Sequence, residues 1–271
     1  MYLLIDAKNI VYRSILSNNG EKYHHVTIFM RQLSSWVKKY KPTSVAVAWD
    51  APRKSTWRRS ILETYKDRGE LINQRDISKD ISITMQALKE LLDNINVRQL
   101  YKDKMEADDL IYAAVSVIHP EKSVIVSSDG DMLQIPYKYH SCKVFNPFKK
   151  QEMPRPEISP VMQKALVGDN SDRISGYRGI GPKKSEQILE SFENLNNFLS
   201  DNDKSIFYKN LLLIDLSLNP KLMNNKVYVM KELSSDIKYN DVEVNKLIMK
   251  YRIKGMLNEL NDLIPCFKNL Q

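Results

Sequence analysis

The 271-residue chain has two cysteines, Cys142 and Cys266, far apart and in no C-x-x-C pattern. That scarcity excludes a disulfide framework and a thiolate zinc site, and it fits a reducing compartment. The four histidines, His24, His25, His119 and His140, fall in no motif. No convincing Ser-His-Asp or Cys-His arrangement supports a protein nucleophile. No apolar run reaches the length needed to span a bilayer. The N-terminus, Met1-Tyr2-Leu3-Leu4-Ile5-Asp6, lacks a basic region ahead of its apolar residues. A cytoplasmic protein without a membrane segment is the expectation. Internal repeats and low-complexity segments are also missing.

What is present is a core-forming composition with a basic balance. Hydrophobic residues make up 42% and charged residues 27%, while 41 Lys and Arg against 33 Asp and Glu give a formal charge of +8. A positive surface suits a polyanionic partner; moderate positive charge also simply aids solubility.

Hydrophobic patterning places a strand at 2–5, a helix at 25–40 and a strand at 45–49. A helix over 79–94, a strand at 97–100, a helix over 106–118 and a strand at 124–126 follow. This alternation predicts an α/β layer with a mostly parallel sheet over about residues 1–155. Pro154, Pro156 and Pro160 mark a boundary. Beyond it, 156–271 reads as mainly helical, with Ser159-Pro160 opening a helix and a candidate strand at 226–229.

Aspartates close three of the strands: Asp6, Asp50 and Asp129. One such residue is commonly a helix cap or turn former. Three of them at the carboxyl edge of an open α/β sheet mark a site. The run E-A-D-D adds Glu106, Asp108 and Asp109 at a helix start, where acids are also favoured by the helix dipole. D-G-D adds Asp131, and G-D-N-S-D adds Asp169 and Asp172. Oxygen-only donors select hard cations such as Mg²⁺ or Mn²⁺. Nine carboxylates are too many for one ion, which points to a two-ion centre of the kind that hydrolyses phosphodiesters.

Residues 176–189 read G-Y-R-G-I-G-P-K-K-S-E-Q-I-L, a Gly-rich hairpin with Pro182 at the first turn of the next helix. Free amides there suit a phosphate, and Lys183 and Lys184 add charge. Such turns are common, but this one directly follows G-D-N-S-D. The segment 51–80 is rich in Arg and Lys, with Trp57 and Tyr65 available for base stacking.

Taken together, L-L-I-D-A-K-N (3–9), A-W-D (48–50), Y-K (65–66), E-A-D-D (106–109), S-S-D-G-D-M-L-Q (127–134), G-D-N-S-D (168–172) and G-I-G-P-K-K-S (179–185) resemble the structure-specific 5′ nucleases. That family comprises flap endonucleases, the 5′-nuclease domain of DNA polymerase I and bacteriophage 5′–3′ exonucleases. The resemblance runs in family order across about the first 190 residues, and the last ~80 add little. It implies a PIN-like α/β core, a helical arch at about 51–80 and a helix-hairpin-helix-type DNA-binding motif. Asp6, Asp50, Glu106, Asp108 and Asp129 would then serve a catalytic Mg²⁺. Asp131, Asp169 and Asp172 would hold a second, with Asp109 supporting the cluster and Mn²⁺ able to substitute.

By the same resemblance, Lys66 would place positive charge on the scissile phosphate, with Tyr65 beside it at the base of the arch. DNA contacts are expected from Arg53, Arg58, Arg59, Tyr65 and Arg75, and from Gly179, Ile180, Gly181, Lys183, Lys184 and Ser185, with a K⁺ ion at the hairpin. The implied substrates are DNA flaps, 5′-ended duplexes and RNA primers in RNA/DNA hybrids, cleaved by a monomer during replication. A replication polymerase or single-strand-binding protein is the implied partner. The length fits a phage or bacterial enzyme. Short bacterial relatives that lack the third acidic set differ from this chain, which keeps Asp169 and Asp172. Two other readings share the acids: a PIN-type single-strand RNA nuclease and a non-catalytic DNA-binding protein.

Overall fold

The computed structural model describes residues 1–17, 24–67, 78–236, 239–251, 253 and 267. Short apolar runs form the centre. Strand β1 (Tyr2–Asp6) leads into α1 (Ala7–Ser17) and α2 (His24–Tyr40), then β2 (Ser44–Ala48). Next come α3 (Ser78–Leu92), β3 (Arg98–Leu100), α4 (Ala107–Ile118) and β4 (Ser123–Val126). The short α5 (Gln134–Lys138), β5 (Cys142–Asn146) and β6 (Gln151–Glu152) complete the sheet.

Among the described residues, six strands lie in the order β3-β2-β1-β4-β5-β6, parallel except for β6, which runs antiparallel to β5. Ile5 of β1 is opposite Val47 on one side and Val126 on the other. Side chains alternate between faces with the period of the pleat. Leu3, Ile5, Val45, Val47, Val124 and Val126 join one core with α1, α2 and α3. Leu4, Ala46, Ala48 and Ile125 join the other, with Leu110, Ile111 and Val115 of α4. Burial on both faces explains why these strands read as continuous apolar runs. The chain moves from β1 to β2 on one side, while β4 lies on the other. The crevice at such a reversal, beyond the strands' carboxyl ends, is where open α/β sheets place ligands.

The region after β6 begins with α6 (Pro160–Val167), capped by Ser159, whose Oγ accepts the Met162 amide at 3.3 Å. A small antiparallel pair, β7 (Gly168–Asp169) and β8 (Ile174–Ser175), follows. Gly168 takes φ +83°, and a Cβ there would lie 2.4 Å from the Gly176 amide nitrogen, so no other residue fits. Helices α7 (Pro182–Leu189), α8 (Phe192–Asp201) and α9 (Lys204–Ile214) build a separate small core with α6. Among the described residues, α10 (Leu222–Leu233) and α11 (Asp241–Lys250) then return to the sheet. Val229 packs with α4, and Val244, Leu247 and Ile248 pack with α2 and α3. The change near residue 155 is thus one of element type, while the final helices share the α/β core.

The 226–229 run is a correction: it lies inside α10. Val227-Tyr228-Val229 suits a strand locally, but Leu222, Val229 and Leu233 recur at helical spacing and pack against the α4 core. Helix α1 also fills a stretch where no element was expected, burying Ile10, Val11 and Ile15. Among the described residues, no helix is long and apolar enough to cross a membrane.

Candidate active site

The strand ends bring the first group of carboxylates together. Asp6 ends β1, and its Oδ2 accepts the Ser127 hydroxyl at 2.8 Å. Asp50 lies two residues past β2. Its Oδ1 accepts the Ala107 amide at the start of α4 (2.8 Å), and its Oδ2 meets the Lys8 ammonium at 3.1 Å. Past β4, the Ser127 hydroxyl accepts the Asp129 amide (3.0 Å), and Asp129 accepts the Asp131 amide (3.0 Å). Asn9 Oδ1 accepts both the amide and the hydroxyl of Ser128, at 3.0 and 2.7 Å. These bonds order the S-S-D-G-D turn so that both its acids face one cleft.

Helix α4 supplies the next three acids, and a buried arginine holds them. The Arg58 guanidinium donates to Glu106 Oε2 at 2.6 Å, to both oxygens of Asp109 at 3.0 and 3.1 Å, and to the Leu213 carbonyl at 2.8 Å. The Trp57 indole and the Glu106 amide donate to Asp109 Oδ2 at 3.0 and 3.1 Å. Asp109 therefore supports the cleft from behind and does not line it. Asp108 does line it, with Glu106.

The second group combines Asp131, from the turn after β4, with Asp169 at the end of β7 and Asp172 in the turn that follows it. Oxygens of Asp131, Asp169 and Asp172 lie within 4.8 Å of one another. Lys164, near the end of α6, bridges Asp131 and Asp169. The Tyr65 hydroxyl donates to Glu106 at 3.2 Å and to Asp172 at 3.0 Å, so it joins the two groups. Lys66 does the same with its ammonium, 2.7 Å from Glu106 and 3.6 Å from Asp172. Its backbone sits at φ +53°, uncommon for a non-glycine, and the Lys66 amide donates to the Asp172 carbonyl at 3.1 Å.

Charge in this cleft is unbalanced. Burial, with Asp50 and Asp129 nearby, pushes the Asp6 carboxyl up to about 7. Burial also raises Asp108, Asp129 and Asp172. Burial would raise Glu106 too, but Arg58 and Lys66 override it and hold the carboxyl at about 2. Lys164 and Ser171 outweigh burial at Asp169 and lower it. Carboxylates pushed up by burial and by one another, in a cleft lined by Asp6, Asp50, Glu106, Asp108, Asp129, Asp131 and Asp172, call for an added cation. The all-oxygen donor set suits a hard divalent ion.

The profile of the family described as "5′-3′ exonuclease, N-terminal resolvase-like domain" matches residues 1–165. The chain belongs to this family. A 5′–3′ exonuclease of Aquifex aeolicus is 28% identical, over 96% of this chain and 95% of its own. A flap endonuclease Xni of Shewanella sediminis is 30% identical, over 88% of this chain and 94% of its own. The fold resembles that of the bacteriophage T5 flap endonuclease solved as a pseudo-enzyme-product complex with DNA and metal ions. There the TM-score is 0.65 at 19% identity, over 93% of this chain and 99% of that one.

For a 5′ nuclease, the basic segment after β2 differs from the sequence expectation. Trp57, Arg58 and Tyr65 are buried. Arg58 spends its donors on Glu106, Asp109 and Leu213, and the two rings are walled in, so none of the three is available to DNA. The cause is the acid cluster itself, which draws the loop's arginine inward. Arg59 is half-buried and donates to the Glu63 carbonyl at 2.8 Å. Arg53 is exposed and lines the cleft. Arg75 lies outside the described residues.

At the hairpin, Gly179 is exposed with φ +77°, and a Cβ on Gly179 or Gly181 would meet nothing. Lys183 and Lys184 are exposed. Ile180 and Ser185 are corrections: Ile180 packs into the small helical core, and the buried Ser185 hydroxyl donates to the Pro182 carbonyl at 2.6 Å. Their side chains brace the hairpin and do not reach its surface.

Lys8, Asn9, Ser127 and Lys164 belong to the site but were not expected there. The first three lie within the matched motifs, and Lys164 stands five residues before Asp169. A lysine in the last turn of the helix that feeds an acidic loop is the signal that could have found it.

Proposed function

We propose that this nuclease hydrolyses phosphodiesters near a 5′ single-strand/duplex junction with Mg²⁺, leaving a 5′-phosphate. The observation that carries this reading is the convergence of two carboxylate groups on one cleft, joined by Tyr65 and Lys66. Asp6, Asp50, Glu106, Asp108 and Asp129 would hold one ion, and Asp131, Asp169 and Asp172 a second, with Mn²⁺ an accepted substitute. Such ions supply water activation and charge neutralisation at the leaving oxygen.

The chain's own groups do the rest. Lys66 presents its ammonium between the two acidic groups, where a phosphate would carry developing charge. Arg53 extends positive charge along the cleft mouth. Gly179, Gly181, Lys183 and Lys184 grip the duplex backbone through free amides and charge at the start of α7, where carbonyls of the hairpin would hold a K⁺ ion. Residues 1–155 form the α/β nuclease core, and the region after them adds Asp169 and Asp172 to the cleft and carries the hairpin. DNA flaps and RNA primers in hybrids are the proposed substrates. The setting is cytoplasmic replication, where the nuclease works as a monomer beside a polymerase or single-strand-binding protein.

The test is cleavage of a labelled 5′-flap with Mg²⁺ and with EDTA, beside an unstructured RNA. Flap cleavage that needs Mg²⁺ is the expected result. No flap cleavage, equal cleavage in EDTA, or preference for the RNA would overturn the proposal.

A further inference from the structure

The second acidic group already contains a cation supplied by the protein. Lys164 projects from α6, and the glycine-dependent turn at Gly168 brings Asp169 back beside it. Its ammonium lies 2.5 Å from Asp169 Oδ2 and also pairs with Asp131 Oδ1. The other Asp169 oxygen is occupied by the amide and hydroxyl of Ser171, at 2.8 and 2.6 Å. Asp172 Oδ2 accepts the Tyr65 hydroxyl. Lys164 thus takes the Asp169 oxygen that Ser171 leaves open, together with one oxygen of Asp131.

We propose that Lys164 is the resident cation of the Asp131–Asp169–Asp172 group, and that a divalent ion enters by exchange, displacing the ammonium into the cleft. This inference rests on the metal reading above. An ion held by Asp131 and Asp169 would compete with the ammonium for their oxygens, and two positive charges a few ångströms apart repel strongly away from bulk water. The lysine can leave. Its side chain is 32% exposed, it lines the cleft, and its partners are two carboxylates on another strand's turn and on β7. A four-carbon stem carrying a point charge reorients readily.

Arg58 could not play this part, because it is fully buried and held by Glu106, Asp109 and the Leu213 carbonyl. The consequence is an ordered filling. The group around Asp6 and Asp129 loads first, and the Asp131 group loads at higher ion concentration because each ion must first expel Lys164.

The experiment measures Mn²⁺ binding by calorimetry, and by electron paramagnetic resonance of free Mn²⁺, without DNA. Wild type, Lys164→Met and Lys164→Arg are compared. Exchange predicts two ions in wild type, with the weaker one bound ~10-fold or more tightly in Lys164→Met and no more tightly in Lys164→Arg. A second measurement uses the unaltered protein labelled with ¹⁵N-lysine. The Lys164 ammonium signal, protected in its ion pair and assigned by its loss in Lys164→Arg, should disappear as Mg²⁺ saturates the weaker site. Two ions bound equally well with and without Lys164, or an ammonium signal that survives saturation, would overturn the exchange while leaving the two-ion reading intact. Failure of any protein to bind an ion would remove the metal reading and this inference with it.

Discussion

Glu106 and Asp109 face a buried arginine, whereas Asp131 and Asp169 face a partly exposed lysine. The first pairing is anchored at the sheet edge and at the α4 start. The second hangs on two turns, one after β4 and one between β7 and β8. Two acidic groups of similar composition therefore differ in what neutralises them: a fixed structural charge in one, a removable one in the other. The arginine group gives rigidity and a Glu106 held ionised at neutral pH. The lysine group gives a place that another cation can take.

The largest effect is expected where the comparison is broken at its centre. Asp129 is adjacent to both groups, contacting the Asp131 amide and raising the Asp6 carboxyl. Asp129→Asn should cut single-turnover flap cleavage by ~10³-fold or more, a loss typical of removing a principal electrostatic group. Flap affinity in a binding assay should stay within about twofold. Retained turnover would mean that the ions sit elsewhere.

Next in size is the cost of removing each protein cation. Arg58→Met leaves Asp109 buried without a counter-charge and Glu106 with Lys66 alone, and should destabilise the fold by ~3–5 kcal/mol. Lys164→Met, at a partly exposed pair, should cost ~1 kcal/mol or less. Urea unfolding in EDTA measures both, and equal losses would dissolve the distinction between fixed and removable charge.

The pH dependence of the metal-free fold sharpens the same contrast. The Asp6 carboxyl is raised from 3.8 to about 7, so between those values the folded state holds a proton that the unfolded chain has released. Stability should fall as pH rises through that window, by a few kcal/mol in order of magnitude. Glu106 works the other way. Lowered from 4.5 to about 2, it contributes stability above about pH 4.5 that is lost as pH falls towards 2. The metal-free protein should therefore be most stable on the acid side of neutrality, and Mg²⁺ should raise its melting temperature more at pH 8 than at pH 5.5. Thermal melts with and without Mg²⁺ check this, and a metal increment independent of pH would contradict it.

Much of this was legible in the sequence for a physical reason. Strands buried on both faces are apolar throughout, and Asp6, Asp50 and Asp129 stand directly at or after their ends. Topology does the rest, because parallel strands send all their carboxyl ends to one edge. What stayed hidden depends on partners distant in the chain. Arg58 sits in a run of basic residues that looks solvated, and only folding places it against Glu106, Asp109 and the carbonyl of Leu213. Trp57 and Tyr65 follow it inward for the same reason. Val227-Tyr228-Val229 was misleading because its local preference for a strand is weaker than its packing on α4. Lys164 carried no motif at all.

The smallest expected effect tests whether the two groups act as one. Tyr65 is buried, and its hydroxyl donates to Glu106 Oε2 and Asp172 Oδ2. Tyr65→Phe keeps the ring and its packing but removes both bonds, so stability should fall by only ~1–2 kcal/mol. Without that donor Asp172, already raised by burial, gains a further push towards its protonated form. If the groups are coupled through this hydroxyl, a double-mutant cycle of Tyr65→Phe with Asp172→Asn should show an interaction of ~0.5 kcal/mol or more in urea unfolding. Additive losses would mean that Tyr65 only fills space, and that Lys66, with its left-handed backbone hydrogen-bonded to the Asp172 carbonyl, alone links the arginine-held acids to the lysine-held ones.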